Sequence, residues 1–206
     1  ISNYEFLEMD CGLFVAGQNK QKQRYIMPLN DPHNCDIKTF NDILDQRDFF
    51  FPIPEAWLSY FSENKFAVSY NESESDYIFL TEKMAGFKGR QYVRHRNHLN
   101  QFLSCYSPQD ERLTTDNYSD SMTVLQEWQK NSRTAADKTD YEQCREALEK
   151  ISELALWGTI YYIDDKPVGF IIGEPLNAEM FCLHFAKASK SYHGIYEYMF
   201  NDTAKK

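Results

Sequence analysis

The chain has 206 residues, of which 42% are hydrophobic and 16% aromatic, enough to pack one or two domains and too much for a disordered chain. The longest apolar run, near residues 167–173, falls far short of the roughly 20 residues that span a bilayer, and the polar, acidic residues 1–12 do not form a signal peptide. A net charge of −9 excludes broad contact with duplex DNA or an anionic membrane.

Taken in chain order, Leu13-Phe14-Val15 and Tyr25-Ile26-Met27 read as two short strands joined by a polar turn over residues 18–23. Residues 36–45 carry Ile37, Phe40, Ile43 and Leu44 at helical spacing. Residues 49–53 form a short strand, and Pro54 opens a helix with Trp57, Leu58 and Phe61. Residues 66–70 and 77–80 read as strands flanking a polar loop at 71–75. Residues 88–106 read as a helix with Tyr92, Leu99, Phe102 and Leu103 on one side and Arg90, Arg94, Asn97, His98 and Gln101 near another, ended by Ser107-Pro108. Asp120 is a candidate cap for a helix bearing Met122, Leu125 and Trp128, and a third helix covers residues 137–155 with Tyr141, Cys144, Leu148 and Ile151 as its stripe. The pattern then changes. Residues 156–163, 167–173 and 180–188 read as three strands of a meander, turning at Asp164-Asp165-Lys166 and again at Pro175-Leu176-Asn177, and residues 191–206 as a closing helix. In the third strand Cys182, His184 and Ala186 alternate with Phe181, Leu183 and Phe185.

The five cysteines, Cys11, Cys35, Cys105, Cys144 and Cys182, are odd in number and form no Cys-x-x-Cys pair. They predict free thiols in a reducing, cytoplasmic setting, with neither a disulfide framework nor a cysteine zinc site. His33, Cys35 and Asp36 lie close in sequence but lack the second cluster a metal site needs. No metal and no cofactor is expected.

The charge is uneven. Between Glu82 and Asp110 there is no acidic residue, while Lys83, Lys88, Arg90, Arg94 and Arg96 give this window a charge of +5. A basic island in an acidic chain suggests one bound anion, because guanidinium groups recognise carboxylate and phosphate bidentately. A solvated face or internal ion pairing explains the same residues without a ligand. Helical geometry places Arg94 with Arg90, Asn97 and His98, and turns Arg96 and Asn100 to another side. The first group is therefore assigned to an anion and the second to packing against the other half of the molecule.

Two helices, a three-stranded meander and a following helix make the element order of the GNAT acyltransferase fold, in which an anion commonly sits at the N-terminus of the helix after the long strand. Two stretches carry a closer resemblance. One runs over residues 76–85 and 88–102 and includes Arg96-Asn97-His98-Leu99-Asn100; the other runs over residues 165–177 and continues in His184-Phe185-Ala186-Lys187-Ala188 and Gly194-Ile195-Tyr196. Both resemble a bacterial family of mostly uncharacterised proteins that shares its domain with the C-terminal part of phosphatidylglycerol lysyltransferases. The resemblance implies an α/β (α+β) chain of two tandem GNAT-like halves, residues 1–105 and 106–206, and transfer of an aminoacyl group from charged tRNA to an amine or hydroxyl acceptor. The family usually has an acidic residue where this chain has Ala186. Its members also continue beyond the position of Lys206, so the second half is expected to be incomplete at its C-terminus.

Within that frame His184 and Glu174 are the candidate catalytic residues. A base must lie within hydrogen-bond reach of the proton it takes, whereas a lone strand histidine also serves as a core residue. Arg90, Arg94, Arg96, Asn97, His98, Asn100, Asn177, Lys187, Gly194 and Tyr196 are the candidate substrate-binding residues; Asn177 fits surface turn chemistry equally well, and simple exposure at the surface is the alternative for Lys187. Acetyl-CoA users need small residues where the backbone approaches pyrophosphate, and here Gly194 is followed by the bulky Tyr196. A donor other than CoA, an aminoacyl-tRNA or another anionic molecule, is favoured. A non-catalytic module binding an anionic metabolite or peptide is the alternative, and acetyl-CoA-dependent N-acetylation the weaker one.

Overall fold

The computed structural model describes residues 4–19, 21–72 and 75–206. The chain divides into two compact units, Ile1–Asp76 and Tyr77–Lys206. Each holds one four-stranded sheet, β1-β2-β3-β4 in the first and β5-β6-β7-β8 in the second, so the molecule is mixed α+β.

In the first unit, β1 (Glu5–Met9), β2 (Gly12–Gln18) and β3 (Arg24–Pro28) form an antiparallel meander. Val15 stands opposite Met27. The two-residue β4 (Phe49–Phe50) adds in parallel to β3. It stops at Pro52, whose nitrogen has no hydrogen to give a ladder. α1 (Ile37–Leu44) starts where the Asp36 carboxylate accepts from the Thr39 N–H, 2.7 Å away. α2 (Leu58–Glu63) follows a 3₁₀ turn entered from Pro54. The core is aromatic: Phe40 is fully buried and meets Phe14, Phe50 and Phe61 edge-on.

Cys11, at the β1–β2 turn, is joined to Cys35, just before α1, in a disulfide. This corrects the expectation of free thiols throughout. The two cysteines are 24 residues apart, so only the fold brings them together, and the inference of a reducing compartment loses its premise. The strand expected at residues 66–70 is absent; Phe66 instead returns its N–H to the Phe61 carbonyl and packs on the core. The loop expected at 71–75 includes Ser73 and Glu74, which lie outside the described residues.

In the second unit, β5 (Gln109–Arg112), β6 (Trp157–Ile163), β7 (Lys166–Pro175) and β8 (Phe181–Ala188) form an antiparallel meander. Asp164 and Asp165, both at positive φ, make the β6–β7 turn. α5 (Tyr118–Lys130) and α6 (Tyr141–Glu149) cover one face, where Phe170 and Ile172 meet Val124, Leu125, Cys144 and Leu148. α4 (Val93–Cys105) and α7 (Ile195–Thr203) supply the other cluster, where Val168 and Ile171 meet Phe102, Ile195 and Met199. Burial on both faces accounts for the unbroken apolar run of β7.

The elements depart from the sequence reading in local ways. Residues 77–80 form no strand and leave Tyr77 and Ile78 exposed. They lead into a helix the sequence did not signal, α3 (Thr81–Gly86). Its C-terminal carbonyls at Met84 and Ala85 accept from Asn201 of α7. The basic helix starts later than residue 88, because Gly89 stands at φ +111 and a 3₁₀ turn, Arg90–Tyr92, precedes α4. Asp120 is no cap: Thr114 and Asn117 form the capping box one turn earlier, and Asp120 accepts from the Tyr162 hydroxyl. α6 is half the expected length and is preceded by a 3₁₀ turn, Ala136–Lys138. Among the described residues, no helix is long and apolar enough to cross a membrane.

Candidate functional site

The candidate residues fall into three groups. The first is the basic helix against α7. His98 Nδ1 lies 2.9 Å from Glu197 Oε1, and His95 Nδ1 lies 3.5 Å from the same oxygen. The His193 ring meets His98 edge-on at 4.5 Å. Burial opposes ionisation of Glu197, but the hydrogen bond from His98, a backbone N–H and the charges of His98 and His95 outweigh it, and its carboxyl titrates below the ordinary range. His98 is thus held by a partner across the helix contact.

Arg96 points the other way, donating to the Phe87 carbonyl and, at 2.9 Å, to that of Gly89. Phe87 ends α3 in a left-handed conformation, so Arg96 fastens the α3–α4 connection. Arg90, Arg94, Asn97 and Asn100 are exposed. Among the described residues, Arg90 and Arg94 make no ion pair.

Gly194 and Tyr196 have packing roles. Gly194 stands at φ +89, and a Cβ there would come within 2.4 Å of the His98 carbonyl oxygen. The absent side chain therefore makes room for α4. Tyr196 accepts the Ala188 N–H at the end of β8.

The second group is internal. Lys187, a substrate-binding candidate with surface exposure as the alternative, is only 5% exposed. Its Nζ donates to both Asp140 oxygens at 2.7 Å and stands 3.8 Å over the Trp128 ring. Strand alternation explains the correction: Phe185 and Lys187 turn toward α5 and α6, while Ala186 and Ala188 turn toward α4 and α7.

The third group lies at the far end of β7 and β8. The register places Ile172 opposite Phe185 but Gly173 opposite Leu183, so His184 is an extra residue without a cross-strand partner. Such a bulge re-aims a side chain. His184 Nε2 lies 2.8 Å from Glu174 Oε1, with side chains 33% and 39% exposed. Glu174 is itself opposite Cys182, whose Sγ is 3.7 Å from His184 Nδ1. A base, a carboxylate that orients it and a thiol thus share one accessible patch. Asn177 is close in sequence but closes the β7–β8 turn, its Oδ1 accepting from the Glu179 and Met180 N–H groups. His184 lies four residues from Ala188, about 13 Å along the strand, so this patch and the Tyr196 end of β8 are separate places.

The sequence reading singled out His184 and Glu174 but missed Cys182, Glu197, His95, His193 and Asp140. Alternation did place Cys182 beside His184 on one face. Glu197 and Asp140 gave no local signal, because their partners come from distant elements. Among the described residues, no group of three or more His, Cys, Asp or Glu side chains is placed to hold a metal ion. An open hollow of about 640 Å³ lies in the first unit beside Glu8, Asp10, Cys11 and Asn30 and includes none of the candidate residues.

The chain is similar to a conserved protein of unknown function from Bacteroides thetaiotaomicron VPI-5482, with a TM-score of 0.83 and 25% identity over 98% of this chain and 72% of that one. It is also similar to the C-terminal domain of a protein assigned as a lysylphosphatidylglycerol synthetase from Agrobacterium fabrum, with a TM-score of 0.58 and 13% identity over 98% of this chain and 66% of that one, a likeness of fold. A comparison with curated proteins gives no match. The sequence model described as "Phosphatidylglycerol lysyltransferase, C-terminal" matches residues 3–206, and the chain belongs to that family.

Proposed function

We propose that this domain transfers an aminoacyl group from a charged-tRNA donor to an amine or hydroxyl acceptor, with His184 as the base that takes the acceptor's proton. Family membership supports the reaction class. The observation that carries the assignment to residues is the bulge that aims His184 at Glu174, 2.8 Å away, on an accessible patch. A carboxylate bonded to Nε2 fixes the tautomer and leaves Nδ1 to accept a proton. Arg90, in the 3₁₀ turn before α4, and Arg94, on α4, are exposed and are the groups proposed to attract the anionic donor. The reading also takes residues 1–105 and 106–206 as two tandem GNAT-like halves, each with one of the two sheets, whereas the compact units divide at Asp76.

The test is a transfer assay with a mixed pool of charged tRNAs and with lipid and peptide acceptors. His184→Ala is expected to lower the rate by about 10²–10⁴-fold, the usual contribution of a positioned base, without loss of the circular dichroism signal. Full activity in His184→Ala would remove the base, and no transfer from any charged tRNA would remove the activity.

Binding of an anionic metabolite or peptide without catalysis is the second reading, favoured by the same exposed arginines. A CoA pyrophosphate at Gly194 is not proposed, because the α4 backbone occupies the space a small residue there would leave.

A further inference from the structure

Cys182 lies on the same patch and plays no part in direct transfer. It is not in a disulfide. Its Sγ stands 3.7 Å from His184 Nδ1, and His184 Nε2 stands 2.8 Å from Glu174 Oε1. With Nε2–H donating to the carboxylate, Nδ1 is the ring nitrogen able to accept the thiol proton. Nucleophile, base and orienting group therefore stand in the order that activates a thiol. Two structural features hold them there. The β7–β8 pairing sets Glu174 opposite Cys182, and His184 stands unpaired in the bulge beside both.

We propose that Cys182 is a nucleophile that accepts the acyl group from an activated ester donor as a thioester before it passes to the acceptor amine. The inference rests on the transfer reading above and changes its chemistry from one step to two. In the first step the Cys182 proton passes to His184 Nδ1 and sulfur bonds to the ester carbonyl carbon. The ester C–O bond then breaks, and the donor alkoxide leaves with the proton from Nδ1. In the second step the acceptor nitrogen bonds to the thioester carbonyl, the C–S bond breaks, and the amine proton returns through Nδ1 to sulfur. No electrons are gained or lost by the protein, and no further reactant is needed. The substrate class is an ester of a small carboxylic or amino acid.

The molecule carries its own references. Cys105 is exposed, more so than Cys182, and has no histidine against it among the described residues. Cys144 is fully buried, and burial pushes its thiol up to about 12. Exposure alone would thus make Cys105 the fastest of the three thiols. The experiment treats the protein with iodoacetamide at pH 7, and separately with p-nitrophenyl acetate, and maps the modified peptides by mass spectrometry. Cys182 is expected to alkylate about tenfold faster than Cys105, as thiols paired with a base do, and to carry the acetyl group after a burst of about one p-nitrophenolate per chain. His184→Ala should abolish both advantages. In the charged-tRNA assay, Cys182→Ala should lose transfer while keeping its fold. Alkylation of Cys182 no faster than of Cys105, or a burst that maps elsewhere, overturns the inference. So does wild-type transfer that Cys182→Ala matches, which leaves the transfer reading intact. Failure of every charged tRNA overturns that reading instead, and the burst then decides the nucleophile on its own.

Discussion

The two units solve the same problem, a four-stranded sheet that must be covered, with different means. The first has one small aromatic cluster around Phe40 and a disulfide between Cys11 and Cys35. The second buries both faces of its sheet under four helices, has no disulfide among its described residues, and uses buried polar links such as Lys187–Asp140 and Asn201 to the end of α3. Small cores gain most from a covalent staple, and large ones can accommodate internal polar contacts. The candidate residues of the transfer reading all lie in the second unit, whose bulge sits at the accessible end of β8.

The largest effect is expected at Gly194, where α4 and α7 of the second unit meet. In Gly194→Ala the added Cβ meets the His98 carbonyl, and its φ of +89 is strained for any side chain. We expect a loss of roughly 1–2 kcal/mol from the backbone and roughly 1–3 kcal/mol from overpacking, read by urea unfolding, with hydrogen exchange rising in α4 and α7. A stability within about 0.5 kcal/mol of wild type would show that the α4–α7 contact is looser than described.

Next is the staple. Closing a loop with a sequence separation of 24 residues is worth about 3.5 kcal/mol in the chain-entropy account. Reduction, or Cys11→Ala with Cys35→Ala, should therefore raise exchange across β1–β3 and α1 and leave β6–β8 protected. Equal deprotection of both sheets would mean that the units unfold together.

The smallest effect belongs to Glu197. Its carboxyl titrates below its ordinary value of 4.5. Its stabilising contribution is therefore complete above about pH 4.5 and is lost as pH falls through the folded value. The stability difference between wild type and Glu197→Gln should be below about 1 kcal/mol at pH 7, as for partly exposed pairs, and should vanish in acid. A difference that persists at low pH would assign Glu197 a packing role instead.

Much of the fold is legible in the sequence where local physics dominates. Helical spacing of Ile37, Phe40, Ile43 and Leu44 marks α1, β-formers separated by Asp164-Asp165 make the β6–β7 hairpin, and the 3.6-residue spacing of apolar residues marks α5 and α6. β1, α3 and β5 escaped because they are short, polar or held by partners far along the chain. β5, for example, is a run of four exposed polar residues that is a strand only because β6 lies beside it.

At the candidate site the same boundary holds. Composition and period, which are local properties, already carry the residue types, the strand alternation that sets Cys182 and His184 on one face, and the basic island over residues 83–96. That Cys11 meets Cys35, that Lys187 is buried on Asp140, that Gly194 makes room for a helix and that His184 reaches Glu174 from a one-residue bulge follow from long-range packing alone. Each of these depends on register and on contacts between distant segments, which are fixed by packing the whole sheet and its helices at once and leave no mark in any short stretch of sequence.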